Sequence, residues 1–574
     1  MASKNLKKTI QGYENYIQAH GIDETVIEAY VEACSVAINN EKDTEYGLQL
    51  TKRSKELIER YCMEQTGGTI WDLEKYAFAN KTSYDLIDKF HSVLLLEAQN
   101  KVVDSFFRYI EHKREPKERF YMPRRKQFLK IGLVNALQGM IDDKYDILCI
   151  SLIPGAGKTT IEKFFNAAVI GWYPKDFNLF YSHSGDITRM YYDGMYDIVT
   201  NADEYAWNEI FPDLQVTSTN AKVEQFNVGK YKSFPSVQCT SVGSKNAGKV
   251  RASKFLLVDD MIGGIEEALN PMILEKLWSK YSVDARQRKI QDTDGKNCKE
   301  IHIATRWSVH DVIGRIQNMY VGNPRVKVIA VPDIDPVTGQ SNFDYEFSGF
   351  DVSFFEDQQL LMDEISYKCL YKQEPIEREG LLFPDNKIRR YLNLPHGTPE
   401  LITAQCDTKG KGTDYFVLPV LQKYGDDYYC VDAVCDNTAD YEMQYENAAN
   451  ILVNNEVQEC EFERNAGGDR VAMEVNKRVE SKGWICNITD TPTETNKEAR
   501  IFQCSSWILQ HVIFKDPSKY KPNEPYGIMM SLLKQYSVSG KKQLDDVPDV
   551  FSNFALRVNK GVAKRHTTIM SSPI

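Results

Sequence analysis

Two sets of residues in this 574-residue chain have the types and spacing that chemistry needs. The first is Pro154-Gly155-Ala156-Gly157-Lys158-Thr159-Thr160, which follows the apolar run from Ile147 and precedes an amphipathic stretch from Ile161. The order strand, glycine-rich loop, helix predicts backbone N–H groups gathered around phosphate oxygens. Gly155 and Gly157 let the backbone approach, Lys158 reaches the β/γ-phosphates, and the Thr159 hydroxyl ligates Mg²⁺. The strict pattern asks for glycine where Leu152 stands, so the match is partial. Further on, Lys254–Asp260 reads as an apolar strand ending in two carboxylates. Asp259 would hold Mg²⁺ through water, and Asp260 would polarise the attacking water. Thr305, at the tip of the β-rich run from Lys299, is the candidate sensor of the γ-phosphate, and Gln127 upstream offers a donor and an acceptor to an adenine edge. The plain alternatives are an ordinary turn with a solvated lysine and a strand with an acidic cap.

The second set is acidic. Asp407 ends the strand Leu401–Asp407, Glu461 and Glu463 lie in the strand Glu459–Glu463, and Asp546 and Asp549 open a late helix. Separated carboxylates that converge in a fold can hold two divalent metals about 4 Å apart. Glu461 and Glu463 leave their strand on the same face, so periodicity does not choose between them.

Positioning these groups takes several domains, and the length suits two to four. A hydrophobic content of 42% and an aromatic content of 11% fit a soluble globular protein. The formal charge of −11 excludes coating of nucleic acid through net charge, though not a local basic groove. The 12 cysteines form no CxxC pair and no zinc-type cluster, and read as reduced thiols inside apolar strands. The N-terminus lacks an apolar leader and no run is long enough to span a bilayer, so a cytosolic protein with no membrane partner is expected.

Along the chain, residues 1–115 read as a helical N-terminal extension, and the charged run His112–Arg119 as a solvated linker. Residues 116–345 read as a P-loop domain, 346–395 as a connecting segment, 396–560 as a second α/β domain, and 561–574 as a basic flexible tail. In the second domain the order is three strands, helix, strand, helix, strand, with acids at strand ends. That is the order of an RNase H-like fold. The expected fold class is therefore α/β: a P-loop NTPase domain of the ASCE type plus an RNase H-like nuclease domain, with a helical extension.

PGAGKTT, LLVDD and ATRWSVHDVIGRI, in this order and spacing, resemble the large subunit of tailed-bacteriophage terminases, as do Tyr371–Pro375 and Gly380–Phe383. The resemblance spans roughly residues 120 to 560. It implies ATP-driven translocation of double-stranded DNA into a procapsid and endonucleolytic cutting of concatemers. It also implies ATP and Mg²⁺ as cofactors, with Mn²⁺ able to substitute in the nuclease. The implied partners are DNA, a portal protein, a small terminase subunit and further copies in a ring. The implied setting is the host cytoplasm, transiently docked on the procapsid. ERNAGG resembles the family's nuclease motif and selects Glu463 over Glu461, giving Asp407, Glu463 and Asp549 as the metal set with Asp546 as accessory. Lys497 and Arg500, in NKEARI, resemble its basic motif and are expected on DNA phosphate. Arg251 and Arg306 are candidates for the arginine that completes the ATPase site. The chain departs from the family in carrying Asp260 where Glu is more usual. The competing functions are a cellular helicase–nuclease or resolvase-like factor and a non-catalytic ATP-switched scaffold.

Overall fold

A computed structural model describes residues 4–567, apart from 231, 245–249, 269, 376–380, 409–413, 439, 465–467, 493–495 and 538–542. The basic loop Lys245–Lys249, Gly380, Ala466, Gly467 and the end of the tail thus lie outside the described residues, as do the tail side chains from Lys560. The chain divides into two compact units. One comprises residues 1–263, 272–360 and 368–375, and the other 264–271, 361–367 and 376–574.

The first unit is built on an eight-stranded sheet. Its strands are β1 (Ile147–Ser151), β2 (Asn178–Ser182), β3 (Val216–Asn220), β4 (Gln225–Val228), β5 (Val237–Ser241), β6 (Phe255–Asp259), β7 (Lys299–Ile303) and β8 (Val326–Ala330). They lie in the order β3-β4-β5-β2-β6-β7-β1-β8. From β5 to β8 every pairing is parallel, and β3 and β4 extend the sheet antiparallel. Strands β1, β2, β6 and β7 are buried along their whole length, as parallel strands covered on both faces must be. One strand, β7, separates the loop-bearing β1 from the acid-tipped β6, which is the ASCE arrangement.

The N-terminal helices fall within this same unit. Phe106 packs edge-on against Trp172 and Phe107 against Tyr121. The Trp172 indole donates to the Ala98 carbonyl at 2.7 Å. Within the run His112–Arg119, Arg119 is buried with its guanidinium on Glu74 and Arg114 pairs with Glu204 at 2.7 Å, while buried Glu111, just before the run, accepts from the N–H groups of Phe120 and Tyr121. Lys113, Lys117 and Glu118 are exposed, so the run is solvated in part and anchored where a carboxylate from elsewhere in the sequence supplies a partner. Ahead of β1 run two helices, Tyr121–Lys130 and Leu133–Ile141, broken where Gly132 turns left-handed.

The second unit carries strands β9 (Arg389–Tyr391), β10 (Leu401–Cys406), β11 (Phe416–Tyr424), β12 (Asp427–Asp436), β13 (Glu459–Glu463), β14 (Asn487–Thr491) and β15 (Val512–Lys515). The order is β14-β13-β10-β11-β12-β15-β9. β10, β11 and β12 form an antiparallel meander, while β13 and β14 add parallel beyond β10. This is the RNase H-like pattern, extended by β15 and β9, which pair parallel beyond β12. Alternation along β11 sends Phe416, Leu418 and Val420 to one face and Val417 and Leu421 to the other. Ala448, Leu452, Val475 and Val479 cover the first face, from helices Tyr441–Asn454 and Gly468–Ser481. Ile501, Ile508, Met529, Phe551 and Phe554 cover the second, from helices Lys497–His511, Pro525–Gln535 and Asp546–Thr567. All twelve cysteines are free and buried. Among the described residues no helix is long and apolar enough to cross a membrane.

Candidate functional site

In the first unit, β1 ends at the loop and helix Lys158–Trp172 begins directly after Gly157. Gly157 has φ +92°, and a Cβ there would meet the Phe120 ring at 2.3 Å, so both conformation and packing demand glycine. Leu152 departs from the strict motif because its side chain is core, fully buried. Its carbonyl accepts from the Lys158 Nζ at 2.6 Å, and that of Ile153 at 3.2 Å, so the ammonium lies across the loop from which it springs. Burial lowers the pKa of Lys158 against the pull of Asp260 and Asp259. Ala156 is buried in the loop, and Pro154 and Thr160 bracket it.

The parallel register brings the tip of β6 to the loop. The Thr159 hydroxyl donates to Asp259 Oδ2 at 2.7 Å, whereas Asp259 Oδ1 is buried with no hydrogen-bond partner. Burial, reinforced by Asp260, pushes the Asp259 carboxyl up to about 7. An orphaned buried oxygen beside a hydroxyl is a donor set that fits Mg²⁺. Asp260 sits at φ +38°, and its Oδ1 accepts from the Thr305 N–H at 3.0 Å, so the two residues singled out beside the γ-phosphate are bonded to each other. Gln127 donates from Nε2 to the Asp344 carbonyl at 2.6 Å, and its Oε1 is buried without a partner. Arg306 is a correction: its Nε is on Asp311 at 2.7 Å and its Nη1 on Gln317 at 2.8 Å, both side chains of the ion pair being buried, so it is committed to the fold. Arg251 donates to the Val250 carbonyl.

In the second unit the three acids meet. Asp407, one residue past β10, is tied to Val417 through both backbone groups, at 3.0 and 3.1 Å. Glu463 closes β13, which lies beside β10, and Asp549 comes from helix Asp546–Thr567. One oxygen of each lies within 4.8 Å of the others. Gly468 of the ERNAGG motif has its own reason: a Cβ there would stand 1.8 Å from the Glu463 carbonyl, so glycine lets the next helix start against the acid's backbone. Glu461 points elsewhere, accepting from the Thr491 hydroxyl at 3.0 Å.

The residues fit a divalent cation. Asp407 Oδ2 is buried with no hydrogen-bond partner. Burial pushes the Asp407 carboxyl far above the usual range, with Lys497 opposing and Asp549 and Glu463 adding. Burial also raises Asp549, against Lys497 and Arg500. Carboxylates that converge in a largely buried site, their charge offset only in part by Lys497 and Arg500, form a donor set that a divalent metal fits.

Three further candidates are placed as follows. Asp546 is outside the cluster; its Oδ2 accepts from the Tyr415 N–H at 2.9 Å and so fixes the start of β11. The Lys497 ammonium lies among the acids, 2.8 Å from Asp545, 3.2 Å from Asp549, 3.5 Å from Asp546 and 3.8 Å from Asp407. Arg500 is buried on Asp549, Nη2 at 2.6 Å and Nε at 3.0 Å. Both cations are drawn inward by the carboxylates of this unit, Arg500 to Asp549 and Lys497 to the acids around it. Sequence reasoning also missed Asn553, whose Nδ2 donates to Glu463 Oε2 at 3.1 Å. Its signal was present, four residues after Asp549 and hence on the same helix face.

Fold and site together define a class: a P-loop ATPase fold and an RNase H-like nuclease fold carried by one chain. Residues 406–512 match the family described as the Ribonuclease H-like domain of the bacteriophage T7 terminase. No curated protein matches the chain. Among solved structures, the large terminase of a thermophilic bacteriophage is 11% identical, with a TM-score of 0.33 over 75% of this chain and 98% of that one. The HK97 bacteriophage large terminase is 11% identical, with a TM-score of 0.31 over 74% and 94%. The human cytomegalovirus terminase nuclease domain, soaked with manganese, is 12% identical, with a TM-score of 0.24 over 30% and 94%.

Proposed function

We propose that this chain is the large subunit of a phage terminase: an ATPase that drives double-stranded DNA into a procapsid and a metal-dependent endonuclease that cuts the concatemer. The observation that carries the reading is the meeting of Asp407, Glu463 and Asp549 inside the unit whose residues 406–512 match the terminase nuclease family. Its partners would be a portal protein, a small terminase subunit and further copies of the chain in a ring, in the host cytoplasm and transiently on the procapsid.

For ATP hydrolysis, the N–H groups from Gly155 to Thr160 and the Lys158 ammonium bind the phosphates, Lys158 exchanging loop carbonyls for phosphate oxygens. Thr159 and Asp259 would hold Mg²⁺. Asp260 orients the water that attacks the γ-phosphorus, and its bond to Thr305 links that water to the tip of β7. Gln127 offers its unpartnered Oε1 to the exocyclic amine of adenine.

For cutting, Asp407, Glu463 and Asp549 would hold Mg²⁺ or Mn²⁺, which when bound supplies an acidified water and neutralises the leaving oxygen. Arg500 fixes Asp549, and Lys497 holds a positive charge among the acids that metal entry displaces or complements. DNA contacts should be to phosphate, since cutting concatemers needs little base readout.

The test is a reciprocal pair in the full-length protein. Lys158→Ala should abolish DNA-stimulated ATP turnover and leave Mn²⁺-dependent plasmid nicking intact, while Asp407→Ala should do the reverse. ATP turnover near the parent rate in the first variant, or nicking that survives in the second, would overturn the reading. Turnover that rises with DNA and procapsid separates a motor from a switch.

A further inference from the structure

Helix Asp546–Thr567 lies along the face of the sheet that carries the acids, and it meets that face once per turn. Asp549 joins the carboxylate cluster. One turn on, Asn553 donates from Nδ2 to Glu463 Oε2 at 3.1 Å. One turn further, Arg557 donates from Nη2 to the Thr403 hydroxyl at 2.7 Å, while its guanidinium lies over the Phe554 ring. Thr403 stands two rungs below Gln405 and four below Asp407 on that face of β10. Successive turns of the helix thus reach β13 through Asn553 and β10 through Arg557, which ties the helix to both strands.

We propose that Asn553 is a positioning residue of the nuclease site: its amide sets the rotation of the Glu463 carboxylate, so that the acid meets a divalent metal already oriented. This rests on the nuclease reading above. Asn553 is 9% exposed and Glu463 half-buried, so water competes little for the bond. The last torsion of a carboxylate is broad and shallow, so each hydrogen bond to it narrows the range. The Asn553 amide is one such bond. Ligating carboxylates are themselves usually hydrogen-bonded, and removal of such an outer partner costs about 10- to 100-fold in metal affinity or activity. The bond also makes the cluster depend on the helix that supplies Asp549, because the same helix face provides one acid and orients another.

The experiment is calorimetric titration of the full-length protein with Mn²⁺, without nucleotide, alongside the Mn²⁺ dependence of plasmid nicking. Asn553→Leu, close in volume but without a donor, should weaken Mn²⁺ binding about 10- to 100-fold. It should move half-maximal nicking to higher Mn²⁺ by a like factor, with ATP turnover unchanged. Where leucine is not accommodated, Asn553→Ala with the parent melting temperature and ATP turnover gives the same measurement. Parent-like Mn²⁺ affinity in a folded variant overturns the assignment. Asp407→Ala is run beside it: if that variant still binds Mn²⁺ and nicks DNA, the nuclease reading itself has failed. If it loses both while Asn553→Leu keeps both, only the role of Asn553 falls.

Discussion

Replacing Arg500 with alanine asks whether this arginine serves the fold or the DNA. Arg500 and Asp549 are nearly inaccessible, with 3% and 2% of their side chains exposed, and they share two hydrogen bonds at 2.6 and 3.0 Å. Removing one member of a buried pair leaves a charge without compensation and costs about 3–5 kcal/mol. Asp549 would keep the Lys497 ammonium at 3.2 Å, which places the expected loss at the lower end, about 3 kcal/mol. At 1.4 kcal/mol per factor of ten, opening of the second unit becomes about 100-fold more frequent. Amide hydrogen exchange in β10 and β11, read in the full-length protein, measures that change directly, since core strands exchange through opening of the whole unit. Exchange in β1 and β7 of the first unit should not move. Arg500→Lys should fall between, because lysine keeps the charge and loses the planar fork. Unchanged exchange in β10 and β11, together with DNA binding whose salt slope falls by about one, would refute the reasoning and return Arg500 to the DNA.

Asp260→Asn should lower ATP turnover by about 10²- to 10⁴-fold with nucleotide affinity kept, because the amide preserves the acceptor for the Thr305 N–H and loses only the charge that orients water; equal losses in binding and turnover, read by nucleotide titration beside steady-state rates, would count against the role. A pH effect follows from Asp104, whose pKa is lowered to about 2: burial opposes ionisation, but Arg125, bonded through two nitrogens at 2.8 Å, outweighs it. A lowered acid contributes stability above its unfolded value and loses it as pH falls, so Asp104→Asn should cost the first unit about 2 kcal/mol at neutral pH and progressively less from about pH 4 towards pH 2. A parent-to-variant difference that stays constant over that interval, measured by denaturant unfolding, would contradict the assignment.

What the sequence made legible follows from how local each signal is. The phosphate loop, the acid-tipped strand β6 and Asp407 each need only a short apolar run and the residue that ends it. Glu463 was different, because two glutamates share one strand face and only the motif beyond the strand distinguished them. The structure supplies the physical reason in Gly468, which packs on the Glu463 backbone. The burial of Arg119 and Arg500 was not legible, because burial of a charge is decided by a partner far along the chain: Glu74 for Arg119, Asp549 for Arg500. The bounds of β14, Asn487–Thr491, follow its pairing with β13 and not an apolar run of its own. Strands β9 and β15 join the sheet by parallel pairing across a long stretch of chain, which no local pattern announces.

The twelve enclosed thiols give the molecule a built-in recorder. Six of them, from Cys34 to Cys369, lie in the first unit and six, from Cys406 to Cys504, in the second. Burial pushes Cys149 up to about 12 and Cys406 and Cys460 well above the ordinary thiol value, so the folded chain presents almost no thiolate to an alkylating reagent. Adduct formation would then be a tally of excursions from the native state, written permanently into the chain. Peptide mapping of the adducts would read, cysteine by cysteine, which unit yields first under heat, denaturant or the pull of a DNA substrate.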